Sequence, residues 1–334
     1  MLSIDDGYHL YRDTQHNTTI MKYKTLKAAK ILLFCAMANI TSAAIDNIGT
    51  EYIDVTYKTV DGVDLKLDIY RPDTNATTPV VIYTHGGGWV TGDKGSAAVG
   101  YKSTVISNLL EQGVSVVSVQ YRYASNGNVM ADCVIDAKDA CRFMTQNAST
   151  YNINKDQMAT FGDSAGAHIA MLVALSGNTY IAFEGDSSLS SYSNYQIVGC
   201  AAWYGPVSFR TQFNEDEFWT LGGRFLSGFG TRIFGTETDS SAITAAQVIV
   251  SPTRYYDASS VPLTLVHGNM DTTIPIYHMY GMMDLAATVG NSDFASLEIE
   301  NAGHNFLSAN GEAISPTANE IIEYTTDRIM SSFD

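Results

Sequence analysis

Thr160-Phe161-Gly162-Asp163-Ser164-Ala165-Gly166-Ala167-His168 is the stretch from which the rest of the chain can be read. Residues 157–161 before it predict a short apolar strand. Residues 165–175 predict a helix of small side chains that stops at Ser176-Gly177. Gly162 and Gly166 flank Ser164 in the pattern G-x-S-x-G. On so tight a strand-to-helix turn, a side chain at either flank would meet neighbouring backbone. Glycine there lets the serine take a strained conformation with its hydroxyl projecting from the sheet edge. The positive end of the helix dipole would then favour negative charge developing beside it. A glycine-rich helix entry with an N-capping serine has the same five residues, so what surrounds them must decide.

Working outward, strands alternate with helices. An antiparallel hairpin is expected over 51–71, around Asp61-Gly62. Apolar strands are expected at 79–84, 114–119, 197–203, 261–267 and 295–299, and helices at 101–111, 129–148, 274–289 and 314–333. This rhythm predicts an α/β chain with a mainly parallel central sheet and helices on both faces. Such sheets bind ligands beyond the carboxyl ends of their strands. Residues 207–256 break the rhythm and carry phenylalanines among glycines and acids. They are expected to form an insertion over the active site, either a lid or pocket wall or an ordinary packed excursion. No repeat, dinucleotide fingerprint or P-loop is present.

With 334 residues, 45% hydrophobic and 16% charged, the chain can hold one large domain. A net charge of −16 argues against nucleic acid and against anionic membrane surfaces. The N-terminus stands apart. Residues 1–20 are polar and unpatterned, as expected of a non-native upstream start. From Met21, the order is Lys22, Lys24, Lys27 and Lys30, an apolar run at 31–40, then Thr41-Ser42-Ala43-Ala44. That order predicts a signal peptide over 21–44 with cleavage near Ala43 or Ala44. The mature chain, 45–334, would be a single secreted or periplasmic domain with no stable membrane insertion. The apolar run is short for a span; a buried or amphipathic helix is the other reading. Phe34 before Cys35 does not suit a lipoprotein signal. Cys133, Cys141 and Cys200 then remain. The first two lie about 12 Å apart along a predicted helix, too far for a disulfide. Their spacing does not suit zinc either, so buried thiols are expected.

A serine hydroxyl needs a base, and a histidine base needs a carboxylate to fix its tautomer. His304 lies in the loop after the last strand, in Gly303-His304-Asn305-Phe306. Asp271 lies in the loop after the preceding strand, in Asn269-Met270-Asp271-Thr272-Thr273-Ile274-Pro275. His267 and His278 come too early in the chain for a final-loop base. His168, one turn after Ser164, should point away from it. Asp284 and Asp293 are poorer orienters. Donors for an oxyanion are expected from the N–H of Ala165 and from Gly87 and Gly88 in His85-Gly86-Gly87-Gly88-Trp89. His85 is expected to order that loop rather than react.

His85-Gly86-Gly87-Gly88-Trp89 with Gly162-Asp163-Ser164-Ala165-Gly166 resembles the hormone-sensitive-lipase-like branch of the α/β hydrolases. Continuation to Gly92-Asp93-Lys94, and Ser164-Ala165-Gly166-Ala167-His168, are nearer to secreted carboxylesterases and feruloyl-esterase-like members. The resemblance spans roughly 51–330. It implies an α/β-hydrolase fold, no cofactor or metal, and hydrolysis of carboxylic esters through an acyl-enzyme. By it, Ser164 is the nucleophile, His304 the base and Asp271 the orienter. Gly87, Gly88 and Ala165 form the oxyanion hole, supported by His85, Trp89 and Asp163. Tyr121-Arg122 also resembles the family, but Tyr123-Ala124-Ser125-Asn126-Gly127 follows where a proline-containing stretch is common. The implied substrates are small-molecule or saccharide-linked esters of short acyl or aromatic acids, plant polysaccharide side chains among them. Arylformamidases share the glycine loop but usually carry tyrosine where Gly88 stands and are normally cytosolic. An inactive binding domain would usually have lost the serine or the histidine. The oligomeric state is not readable.

Overall fold

The computed structural model describes residues 44–177, 183, 185, 189, 195–209 and 240–334. The chain divides into Met1–Thr41 and Ser42–Asp334. The expected signal peptide, but for Ala44, and most of the expected insertion lie outside the described residues.

Alternation around Asp61-Gly62 gives an antiparallel hairpin of β1 (Thr50–Val60) and β2 (Val63–Arg71). Then follow β3 (Thr78–Thr84), α1 (Tyr101–Glu111), β4 (Ser115–Val119), α2 (Met130–Gln146), β5 (Ile153–Asp163), α3 (Ala165–Leu175) and β6 (Ile197–Trp203). After these come α4 (Ser240–Ile249), β7 (Leu263–Gly268), α5 (Tyr277–Val289), β8 (Phe294–Ile299) and α6 (Ala318–Met330). One eight-stranded sheet has the order β1-β2-β4-β3-β5-β6-β7-β8. Strands β3 to β8 are parallel, and β2 joins β4 antiparallel. This is the α/β-hydrolase fold.

The central strands are buried and mainly apolar where helices cover both faces. Along β3, Val80 and Ile82 pack towards α2 and α3, among Val134, Ile169 and Leu172. Val81 and Tyr83 face the other way, among Val105, Leu109 and Ile321 of α1 and α6. Period two in the strand thus meets period three to four in the helices. On this second face Trp203 packs with its ring edge-on to Phe161, 5.0 Å between centroids. Its Nε1 donates to Thr325 Oγ1 at 3.0 Å.

β3 lies between β4 and β5, so the chain reverses its direction of travel across the sheet there. Loops leaving β3 and β5 therefore emerge side by side, at the kind of crevice where open α/β sheets bind ligands. Thr84 pairs with Gly162 across that seam.

Some expected boundaries shift for physical reasons. β5 begins at Ile153 rather than 157, because Ile153 pairs with Thr78. α5 begins at Tyr277 rather than 274, because Thr273 and Ile274 turn their N–H groups onto Asp271. α6 begins at Ala318 rather than 314, where Thr317 and Glu320 form a capping box. The sequence reading missed α4 altogether; its mix of alanine with Ile, Thr and Val has no clear helical stripe beside an aromatic-rich neighbour. Cys133, Cys141 and Cys200 are free and buried. Burial pushes the Cys141 and Cys200 thiols up to about 12.

Candidate active site

Ser164 occupies the turn between β5 and α3 with φ 54° and ψ −121°, a left-handed conformation that costs free energy for a side chain with a Cβ. Neighbouring backbone holds it there. Its N–H donates to Trp203 O at 2.9 Å, and Thr84 Oγ1 donates to Gly166 O at 2.7 Å. A Cβ on Gly162 would run into the Gly166 carbonyl, and one on Gly166 into the carbonyls of Thr84 and His85. Both glycines are therefore required by close backbone approach, as G-x-S-x-G implied.

Asp271 follows β7 and His304 follows β8. Their loops are laced together: Asn269 N–H donates to Ile299 O and Met270 N–H to Ala302 O, both at 2.9 Å. Across this seam His304 Nδ1 lies 2.7 Å from Asp271 Oδ2, and His304 Nε2 lies 3.0 Å from Ser164 Oγ. A carboxylate only accepts, so Nδ1 carries the proton and Nε2 is left to accept from the serine hydroxyl. Asp271 has further donors. Thr273 and Ile274 N–H reach Oδ1 at 2.8 and 2.9 Å; His267 Nε2, which donates to Ile274 O at 2.7 Å, also lies 3.4 Å from Oδ2. Burial pushes the Asp271 carboxyl up, but the hydrogen bonds from His267 and His304 outweigh it and hold the group well below the usual carboxylate range. It is therefore a fixed anion at neutral pH. The Tyr204 ring packs against the His304 imidazole, 4.6 Å between centroids, and Phe306 backs Tyr204 at 4.8 Å. Tyr204 is also left-handed, at φ 42°.

The glycine loop runs beside this relay. Gly87 has φ 125°, a conformation open essentially to glycine, and a Cβ there would strike Thr91 O. Among the described residues the N–H groups of Gly87 and Gly88 have no acceptor. Asp163 anchors the loop base. Its Oδ1 accepts from Gly86 N–H at 3.2 Å and from Tyr83 hydroxyl at 2.7 Å, while Lys102 Nζ lies 3.3 Å from Oδ2. His85 is fully buried and donates from Nδ1 to Gly86 O at 2.8 Å. Its ring stacks on Tyr121 at 4.2 Å, and Tyr121 hydroxyl donates to His85 O at 2.7 Å. Burial lowers the His85 pKa, with the Gly86 hydrogen bond opposing, so the imidazole is a neutral brace. Trp89 is buried and donates from Nε1 to His168 Nδ1 at 3.1 Å.

Ser164, Asp271 and His304 are thus brought into one hydrogen-bonded line, with Gly87 and Gly88 in the loop beside the serine and Ala165 opening α3 directly after it. His85, Trp89 and Asp163 shape the glycine loop. His168 and His278 turn elsewhere: His168 to Trp89 and Val250, His278 to Val207 N–H at 3.3 Å. Asp284 is exposed on α5, and Asp293 lies before β8, apart from this line. Sequence reading missed His267, Lys102, Tyr121 and Tyr204 as members of the site. Of these Tyr121 and Tyr204 carried a signal, each an aromatic just after a buried strand. Such a constellation can move a proton from a hydroxyl to an imidazole and hold the resulting cation beside a carboxylate. It can also offer N–H groups to a developing oxyanion. No group of three or more His, Cys, Asp or Glu among the described residues is arranged to hold a metal ion, and none of their helices is long and apolar enough to cross a membrane.

Comparison with known proteins matches residues 67–284 to the BD-FAE family. Esterase LipC of Mycobacterium tuberculosis is 26% identical over 257 residues, 76% of this chain and 60% of LipC. A probable isoprenylcysteine alpha-carbonyl methylesterase, ICMEL1 of Oryza sativa subsp. japonica, is 28% identical over 212 residues, 63% of this chain and 47% of that protein. The chain spans roughly half the length of the curated relatives it matches. Among solved structures, propionate-bound esterase 2 of Thermogutta terrifontis superposes with a TM-score of 0.63 at 23% identity, covering 88% of this chain and 96% of that one.

Proposed function

The chain belongs to the BD-FAE family, and from that premise we propose that it is a serine carboxylesterase working through Ser164, His304 and Asp271. One observation carries this reading. The buried, anionic Asp271 fixes the His304 tautomer at 2.7 Å, which leaves Nε2 free to accept from a strained serine hydroxyl at 3.0 Å.

In the first step Ser164 Oγ bonds to the ester carbonyl carbon as its proton passes to His304 Nε2. The carbonyl π pair moves onto oxygen, where the N–H groups of Gly87, Gly88 and Ala165 receive it. As that pair returns, the C–O bond to the alcohol breaks, and His304 gives its proton to the leaving oxygen. Water then attacks the acyl-enzyme through the same base, and the carboxylic acid departs with Ser164 restored. Asp271 holds the imidazolium throughout and stays ionised.

The acyl groups we propose are short or aromatic. Propionate in the Thermogutta esterase supports the short-acyl part, and the esterase names of the relatives support ester hydrolysis. Saccharide-linked esters, including plant polysaccharide side chains, are the proposed natural carriers, and export through residues 21–44 is the proposed route to them. Hydrolysis of p-nitrophenyl acetate by the wild type, abolished in Ser164→Ala, tests the mechanism; a p-nitrophenyl series from acetate to octanoate, with methyl ferulate, tests the acyl range. Survival of activity in Ser164→Ala would refute the nucleophile. Preference for an N-formyl arylamine over every ester would move the chain to the formamidase reading. N-terminal sequencing of exported protein tests the leader: a mature chain still beginning at Met1 would overturn it.

A further inference from the structure

His168 takes no part in the serine–histidine–aspartate line, yet it is fully buried one helical turn beyond Ser164. Its backbone N–H donates to Ser164 O at 3.2 Å, which ties it to the nucleophile turn. Its side chain joins two further segments. Trp89 Nε1 donates to His168 Nδ1 at 3.1 Å, and His168 Nε2 donates to Val250 O at 2.6 Å. An indole N–H only donates and a carbonyl only accepts, so the ring must be the neutral Nε2–H tautomer. Phe209 closes a third side, its ring edge-on to His168 at 5.2 Å and to Trp89 at 5.9 Å. Phe209 N–H donates to Ser251 Oγ at 2.9 Å, so residues 209 and 250–251 meet at the same imidazole.

Trp89 directly follows Gly87-Gly88. It is 1% exposed, sits at φ 62°, and accepts from Ala124 N–H at 2.7 Å through its carbonyl. An indole N–H in such a place needs an acceptor, and His168 is the one it has. Movement of the indole would carry the preceding glycines with it, because a left-handed residue at 89 couples side-chain direction to the path of the loop.

We propose that His168 is the positioning residue of the oxyanion loop. It accepts from Trp89 to set the turn that presents Gly87 and Gly88 N–H, and it donates to Val250 O to lock that turn against residues 209 and 250–251. The inference rests on the ester-hydrolysis reading above. Burial holds the His168 imidazole down at about 4, so at neutral pH it stays in the form the two hydrogen bonds require.

The test is a set of four variants assayed on p-nitrophenyl acetate, with thermal unfolding as a folding control. His168→Phe keeps a ring but neither hydrogen bond. Trp89→Phe removes only the donor. Their kcat should fall about 10- to 100-fold with KM changed less than about threefold, since a misaimed oxyanion donor acts on the transition state. The double variant should fall no further than the worse single one. His168→Gln, whose amide can both accept and donate, should recover at least about fivefold of the loss. A folded His168→Phe or Trp89→Phe with kcat within about threefold of wild type would overturn the proposal, as would additive losses in the double variant. Should His168→Phe not fold, Trp89→Phe and His168→Gln decide: a folded Trp89→Phe with full kcat, or a folded His168→Gln with kcat no higher than that of Trp89→Phe, overturns it. Wild type inert on all esters would refute the activity reading, and this proposal with it. Active wild type with an unimpaired, folded His168→Phe would refute this proposal alone.

Discussion

Asp136 and Asp271 are the same side chain, equally buried, and on the proposed reading they do different work. Both carboxylates are fully buried. Each is held by several N–H donors. Asp136 on α2 accepts from Lys58 Nζ at 2.8 Å and from Arg122 N, Nε and Nη2 at 2.9, 2.8 and 2.9 Å. Lys58 also binds Asp139 at 2.6 Å, and Asp139 binds Arg142 at 2.6 Å. The Arg122 charge in that network is permanent, because arginine does not give up its proton in a protein. Asp271 instead takes two backbone N–H groups and the His304 imidazole, with His267 Nε2 a further 3.4 Å contact. The His304 ring is partly exposed and passes its second nitrogen to Ser164. Buried charge and full hydrogen bonding therefore do not mark a reactive site. The mark is a chain of donors that ends on a removable proton, beside a residue held in a strained conformation.

Ser164→Ala pulls the two regions furthest apart: kcat should drop about a millionfold while thermal stability holds. Asp271→Asn should come next, with a loss of about ten-thousandfold, because an amide can donate to Nδ1 and present the wrong tautomer to Ser164. Ester turnover within tenfold of wild type in Asp271→Asn would make Asp271 as structural as Asp136. The opposite profile is expected of Asp136→Asn. Breaking a buried, bidentate Arg–carboxylate pair should cost about 3–5 kcal/mol in urea unfolding, with kcat per folded molecule unchanged. A fall in kcat matching that of Asp271→Asn would dissolve the distinction.

The smallest expected effect concerns acid. Burial holds His168 at about 4 and His278 at about 3, His278 being lowered further by the charges of His267 and His168 and opposed by that of Asp271. In the unfolded chain both titrate near the ordinary value of about 6.5. Below that pH the unfolded state takes up protons first, so stability should fall as pH drops from about 6.5 towards 4. At pH 5 the loss should be on the order of 2 kcal/mol per imidazole. Asp271 runs with a different window: its lowered carboxyl contributes stability above the unfolded carboxylate value of about 3.9, lost only as pH falls below it. Urea midpoints at pH 7, 6 and 5 check the order; His168→Gln should flatten the slope, and an unchanged slope in that variant would assign it to other groups.

Much of the molecule was legible along the chain because its causes are local. Period two at 51–71 marks the hairpin, continuous apolar runs mark the covered strands, and glycines at 162 and 166 mark a turn too tight for a Cβ. Ser164, Asp271 and His304 could be singled out because each directly follows a strand. The sequence could not say that His267 lies within 3.4 Å of the Asp271 carboxylate that holds His304, since order along the chain carries no distance between side chains. Nor could it join residues far apart in the chain. Lys102 meets Asp163 across 61 residues, Lys58 meets Asp136 across 78, and Trp89 meets His168 across 79. The sequence by itself determined the elements and the strained serine, because backbone sterics and hydrophobic period act over a few residues. Tertiary structure alone decided which polar side chains pair, because that depends on β3 lying between β4 and β5, a neighbour relation set by packing of the whole sheet.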